Sequence, residues 1–247
     1  MLKQNGYQFV EETKYPQLSE SDQRLGQPQP PFEIPLEEDK PLIDLPDPDS
    51  IDLGIYDLRK AIEIRRSLRR YQDDKLSLEE LSYLLWLTQG VKKVDEKRHV
   101  VWRTVPSAGC RHPLETYLSI NRVEGLESGL YRYLATQHKL VTLEVSDEFN
   151  GQLTEACLGQ RQVATSAITF IWAAVPYRTI WRYSERSYRY LYLDAGHVCQ
   201  NLHLAAESIN CGICAIGAYD DEAADTLLGF TPPDMFVIYL ASLGRRE

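Results

Sequence analysis

The sharpest periodicity in the chain runs from Ser77 to Gly90, where Leu81, Leu84, Leu85 and Thr88 recur at helical spacing. Ser77 and Glu80 stand in the Ser-x-x-Glu order of a capping box, each side chain satisfying the other residue's backbone N–H, and Gly90 marks the stop. A helix is predicted here. Another is predicted from Ile55, with Leu58, Ala61 and Ile62 on one face. Alternating and β-branched runs then predict strands at Leu114 to Ile120, Gly129 to Tyr133 and Leu140 to Val145, with Thr136 to Lys139 as a turn. A helix at 147 to 158 and a strand at 166 to 175 follow, then a polar, aromatic loop from Pro176 to Ser187. Residues 189 to 209 combine helix formers with apolar residues on nearly every face, the pattern of a central helix enclosed on all sides. A strand at 213 to 219, a helix from Asp221 to Leu228 and a strand at 235 to 243 complete an α+β order without regular βαβ units or repeats.

Residues 1 to 54 read differently. They hold most of the chain's 13 prolines, in runs such as Gln27-Pro28-Gln29-Pro30-Pro31 and Leu45-Pro46-Asp47-Pro48, which oppose both helix and central strand. The expected organisation is therefore an extended arm, 1 to 54, and one principal domain, 55 to 247. Leu36, Leu42, Ile43 and Leu45 would anchor the arm to the body or to a partner subunit; a disordered leader is the alternative.

Composition excludes several function classes. A net charge of −9 repels polyanions and argues against nucleic acid or an anionic membrane as the main partner. The longest apolar stretch, Val163 to Val175, is too short to span a bilayer, and no apolar segment follows the N-terminus to mark it for secretion, so cytoplasm is the default. Five widely spaced cysteines are expected to be reduced. The Cys211-Gly-Ile-Cys214 pair lacks further ligands for a tetrahedral metal site and reads as buried thiols at the start of a strand, with a redox pair as the alternative. His197 and His203 on the enclosed helix read as core histidines rather than metal ligands.

In so acidic a chain, Arg65-Arg66-Ser67-Leu68-Arg69 stands out. Guanidinium forks give bidentate, charge-assisted hydrogen bonds to a phosphate, and a hydroxyl can fill a further oxygen position. The same arginines could instead cap the preceding helix and pair with Glu63 or Asp73.

Four segments occur together in register: Arg65 to Tyr71 (RRSLRRY), 106 to 115 (PSAGCRHPLE), 194 to 206 (DAGHVCQNLHLAA) and 212 to 219 (GICAIGAY). In order and spacing the chain resembles the FMN-dependent nitroreductase-like superfamily, and within it the branch of the SagB-type dehydrogenases, over residues 55 to 247. The resemblance implies an α+β, nitroreductase-like FMN-binding fold, a mainly antiparallel central sheet flanked by helices, as an intertwined homodimer. It implies that Arg65, Arg66, Ser67 and Arg69 hold the flavin phosphate and ribityl chain. Pro106, Ser107, Ala108 and Gly109 would wall the ring from the neighbouring subunit, and Ala215, Ile216 and Gly217 would offer backbone to its pyrimidine edge and N5. Gln89 and Arg245 match positions near its polar edge or phosphate, and the 194 to 206 helix would lie at the dimer centre.

The activity implied is oxidation of a peptide heterocycle or small metabolite through bound FMN. An NAD(P)H-dependent nitroreductase or quinone reductase and a non-catalytic FMN-binding or scaffold subunit are the alternatives. Azoline oxidases of the SagB type carry a Lys-Tyr pair where this chain has Arg182-Tyr183. Arginine cannot serve as a base near neutral pH, whereas Tyr183 can still act as acid, base or donor. His112, beside the Pro-Ser motif, is expected near substrate.

Overall fold

The computed structural model describes residues 4–36, 39–51 and 56–247. In chain order the helices are α1 (Gln4–Glu12), α2 (Leu58–Ile64), α3 (Leu78–Gln89), α4 (Phe149–Ala156), α5 (Arg161–Ala164), α6 (Tyr177–Tyr183), α7 (Ser187–Ser208) and α8 (Asp221–Leu228). The strands are β1 (Leu42–Asp44), β2 (Val91–Asp95), β3 (Val100–Arg103), β4 (Leu114–Ile120), β5 (Gly129–Leu134), β6 (Lys139–Val145), β7 (Ile168–Ala174), β8 (Cys211–Ile216) and β9 (Phe236–Arg245).

Seven strands form one sheet in the order β1-β6-β5-β4-β7-β9-β8, and every neighbouring pair is antiparallel. Central β4 and β7 are buried on both faces. Their alternate side chains feed two cores. Leu118, Phe170 and Trp172 join α3 and α7 on one face, while Tyr117, Ile171 and Ala173 join α4 and α8 on the other. The predicted α+β fold is thus the observed one.

Helix α3 forms as its sequence dictates: Ser77 Oγ accepts from the Glu80 N–H, Glu80 returns the bond to the Ser77 N–H, and Leu81, Leu84 and Leu85 are fully buried. Such a cap stabilises by about 1 kcal/mol.

Three expectations need correction, and one hairpin lies where the sequence predicts nothing. The arm contains helix α1, possible because it ends before the first proline, Pro16. The expected loop after Pro176 is helical, as α6 and a 3-10 turn at Ser184–Arg186; its polar surface is satisfied by the arm, whose Gln23 N–H donates to the Trp181 carbonyl (2.7 Å) while Trp181 Nε1 donates to the Gln27 carbonyl (2.9 Å). The β2–β3 hairpin has no clear alternation in sequence. Finally, α7 is not enclosed on all sides in the single chain. Tyr192, Leu193, Gly196, His197 and Gln200 form an exposed stripe, so His197 is not a core residue. Of helix α2 only Ala61 is buried, leaving Leu58 and Ile62 largely exposed. Ile55, where the sequence begins that helix, lies outside the described residues.

Candidate functional site

Helix α2 ends at Arg65, and the chain then runs alongside the outer edge of β8. The Leu68 N–H donates to the Ile213 carbonyl (2.8 Å), and the Leu68 side chain lies over Gly212, where an added Cβ would stand only 2.7 Å from Leu Cδ2. Tyr71 Oη completes the anchorage through the Leu68 carbonyl (2.8 Å) and Ser242 Oγ (2.8 Å). These contacts fix the backbone of the segment and leave its polar side chains uncommitted. Among the described residues, Arg65, Arg66 and Arg69 make no ion pair; Glu63 pairs with Arg59 instead (2.8 Å). Arg66, Ser67 and Arg69 are exposed and Arg65 is half-buried.

The arginines face the end of α7 and strand β8. Burial drives the His203 imidazole down to about 4, and the Arg65 charge adds to the effect. Burial raises the Glu207 carboxyl, opposed by Arg246, Arg65 and Arg66. Burial likewise raises the Cys214 thiol, with Arg69 opposing it. Cys211 and Cys214 are free, buried thiols at the start of β8.

Strand β8 is an edge of the sheet, with β9 as its one neighbouring strand among the described residues. Because Ile213 turns its carbonyl outward to Leu68, the two-residue period of a strand turns the Ala215 N–H to the same free side. Ala215 is half-buried, Ile216 points into the core and Gly217 is exposed just beyond the strand.

Two other predicted residues are already engaged. Gln89 is buried, accepting from Arg103 (3.0 Å) and donating to the Leu114 carbonyl (3.5 Å). Arg245 binds Glu80 (2.6 Å) and the Ile209 carbonyl (2.8 Å), tying the last strand to the α3 cap, while Arg246 pairs with Glu207.

The Pro106 to Gly109 loop belongs to a separate constellation. Ser107 Oγ donates to Asp194 Oδ2 (2.6 Å) and accepts from the His112 N–H (2.9 Å), and the Ala108 N–H reaches Asp194 Oδ1 (3.3 Å). Burial raises the Asp194 carboxyl, and the Ser107 hydroxyl opposes that shift. Gly109 adopts φ 58°, and an added Cβ would lie 2.5 Å from Tyr183 Oη and 3.1 Å from the Arg182 side chain. The structure therefore brings together the Pro-Ser loop and the Arg182-Tyr183 pair. Immediately after them Ser184 sits at φ 49°, ψ −136°, a strained conformation for a non-glycine residue that costs about 1–3 kcal/mol. Its hydroxyl is held by the Ser19 carbonyl of the arm (3.1 Å).

His112 does not face this space. It is buried with Nε2 donating to the Val101 carbonyl (3.0 Å), and burial plus the Arg103 charge push it down to about 3. The imidazole expected near substrate is thus engaged by β3, while the His112 backbone N–H holds the Ser107 hydroxyl.

Within one chain the two constellations stay apart: α7 bonds the Pro-Ser loop at Asp194 and feels the Arg65 charge at His203, positions separated by about 14 Å along a helix axis.

The model of the Nitroreductase family matches residues 62–245, a span from α2 to the end of β9 that contains both constellations. The chain belongs to the nitroreductase family. It is 38% identical to a nitroreductase homologue of Methanocaldococcus jannaschii, MJ1384, over 75% of this chain and 88% of that one. It is also 30% identical to the trifolitoxin-processing protein TfxB of Rhizobium leguminosarum bv. trifolii, over 53% of this chain but only 36% of TfxB. Among solved structures, a nitroreductase-like protein of Anabaena variabilis superposes with a TM-score of 0.69 at 30% identity, covering 84% of this chain and 42% of that longer one. The chain thus spans less than half of two of these relatives. A component of the E. coli microcin synthetase McbBCD complex shares the fold at 16% identity, with a TM-score of 0.62 over 97% of this chain and 86% of that one. Family membership makes this nitroreductase-type chain an oxidoreductase.

Proposed function

We propose that this nitroreductase-family protein is an FMN-dependent oxidoreductase of the SagB type that oxidises a peptide heterocycle or small metabolite. The observation that carries the reading is the set of unpaired guanidinium groups on a segment anchored beside a free strand edge. Three like charges so close together, in a chain of net charge −9, fit a phosphate dianion. Arg65, Arg66, Ser67 and Arg69 would hold that phosphate, and the outward Ala215 N–H would donate to the ring system. Bound flavin supplies a two-electron acceptor for the substrate.

The remaining residues fit a pocket completed by a second copy. In this reading Pro106 to Gly109, which stand at the Asp194 end of α7, would wall the flavin held by the partner copy. Two exposed apolar faces support it: Tyr192 and Leu193 on α7, 59% and 57% exposed, and Leu58 and Ile62 on α2, 62% and 54% exposed. Burying such surface stabilises by about 25 cal/mol per Å². In this reading Tyr183, held against Gly109, faces substrate as acid or hydrogen-bond donor, while Arg182 contributes charge. The similarity to TfxB, which is a trifolitoxin-processing protein by name, supports the SagB-type reading.

The M. jannaschii relative favours a second reading, reduction of the flavin by NAD(P)H followed by reduction of a nitroaromatic or quinone. Visible absorption of the purified protein tests the cofactor: uptake of FMN in marked preference to riboflavin is expected. A colourless protein that takes up neither would refute the flavin reading. Anaerobic mixing with NADH and NADPH then separates the two activities, since flavin bleached by either supports the reductase and flavin left oxidised by both supports the dehydrogenase.

A further inference from the structure

The arm and the Arg182-Tyr183 pair enclose a cavity of about 530 Å³ that the flavin reading does not use. Its walls include Tyr15, Glu20 and Arg24 from the arm and Arg182, Tyr183 and Arg186 from the body. The arm is not loosely draped there. Ser19 donates through its N–H and hydroxyl to Glu185 (3.1 and 2.7 Å), Tyr177 Oη donates to Asp22 (2.8 Å), and further bonds link Gln23 and Gln27 to Trp181, next to the lining residue Arg182.

The charges of this space are lopsided. Arg24, Arg182 and Arg186 outnumber Glu20, and nearby Arg111 is lowered by burial and then by the Arg182 charge. Among the described residues none of these four arginines is ion-paired. Arg186 spends its donors on the Thr13 carbonyl and Tyr190 Oη and lies over the Tyr15 ring, so it serves the wall. Arg24 and Arg182 make no side-chain hydrogen bond among the described residues. Guanidinium groups in excess of the one lining carboxylate, Glu20, fit an anion, and the strained Ser184 backbone, tied to Ser19, fixes one wall of the space.

We infer that this cavity is a subsite for a carboxylate borne by the substrate, gripped by Arg24 of the arm and Arg182 of the body. The arm thereby becomes part of the active centre, and it selects acidic over neutral substrates. The inference rests on the reading that Tyr183 faces substrate, because the cavity shares Tyr183 with the Gly109 loop.

Binding can be read without turnover. Trp181 is one of four tryptophans, and its indole N–H is bonded to the arm beside the cavity, so its resonance in a ¹H–¹⁵N spectrum of the FMN-loaded 247-residue chain reports on this region. N-acetylglutamate and N-acetylglutamine, matched for ionic strength, are the probes. Saturable shifts of the Trp181 signal with the glutamate probe are expected, at least about 10-fold weaker with the glutamine probe and in Arg24→Gln, whose side chain is exposed and makes no hydrogen bond or ion pair among the described residues. Equal response to both probes, no response to either, or an unchanged Arg24→Gln titration would overturn the subsite. Tyr183→Phe separates the two ideas: substrate turnover that survives this change while glutamate binding persists would refute the Tyr183 reading and leave the carboxylate subsite standing.

Discussion

Two sets of arginines in this chain lie at opposite extremes of commitment. Arg65, Arg66 and Arg69 stand on an anchored backbone with no acidic partner among the described residues, whereas Arg245 and Arg246 are tied to Glu80 and Glu207. The resemblance puts Arg65 on the phosphate and Arg245 near the phosphate or the ring. The geometry separates donors still free to bind an anion from donors used to close the fold. A charged group already satisfied gains little from a ligand, because it must first give up hydrogen bonds of similar strength. An unsatisfied cluster relieves its own repulsion when the anion arrives.

The difference is open to direct attack. Replacing Arg65 and Arg69 together by Gln removes charge-assisted bonds of about 2 kcal/mol each, so FMN affinity is expected to fall on the order of 1,000-fold, with riboflavin affinity and thermal stability nearly unchanged. Equal losses for FMN and riboflavin would show that these side chains do not hold the phosphate. Arg245→Met should do the reverse: loss of the Glu80 and Ile209 contacts costs about 2 kcal/mol, seen as a melting temperature lower by roughly 5 °C, while the preference for FMN over riboflavin persists. If the preference collapses instead, Arg245 is a phosphate ligand and the contrast between the two sets fails.

Ser107→Ala probes the second constellation. It leaves the buried Asp194 without its short hydroxyl bond and costs about 1–2 kcal/mol. Since that hydroxyl holds the Asp194 carboxyl down against burial, its removal raises the carboxyl further. A buried acid with a raised pKa is most at ease protonated, so the variant's deficit should grow as pH rises through the acid range, measurable as the difference in melting temperature between pH 4 and 7. A deficit that shrinks with rising pH would contradict this assignment.

What the sequence revealed follows the range of the interactions involved. The α3 cap, strands β4 to β7 and helix α8 are specified by residues a few positions apart, and their patterns were readable. Helix α6 was not, because its polar, aromatic surface becomes helical against an arm some 155 positions earlier, where Tyr177 meets Asp22. The apolar stripe of α7 read as full enclosure since hydrophobicity cannot say whether its cover comes from the same chain. In the same way, the Arg65 segment could be singled out by charge, but its freedom from Glu63 is a property of side-chain geometry. Arg245 and Glu80 are paired across 165 positions, and the contact between Gly109 and Tyr183 across 74 is equally hidden from local pattern.

The smallest effect offers the most direct test of which set meets the phosphate. His203 is driven down to about 4 mainly by burial and secondarily by Arg65. Its unfolded value near 6.5 is higher, so protons favour the unfolded chain as pH falls from about 6.5 towards 4, and stability is lost over that window. A phosphate beside Arg65 would cancel part of that cation's field. In NMR titration of the imidazole, FMN should therefore move the His203 midpoint upward, riboflavin should move it less, and Arg65→Gln should begin higher and lose most of the difference between the two ligands. Identical midpoints with FMN and riboflavin in the unaltered protein would place the phosphate away from Arg65 and return the free arginines to the status of surface charge.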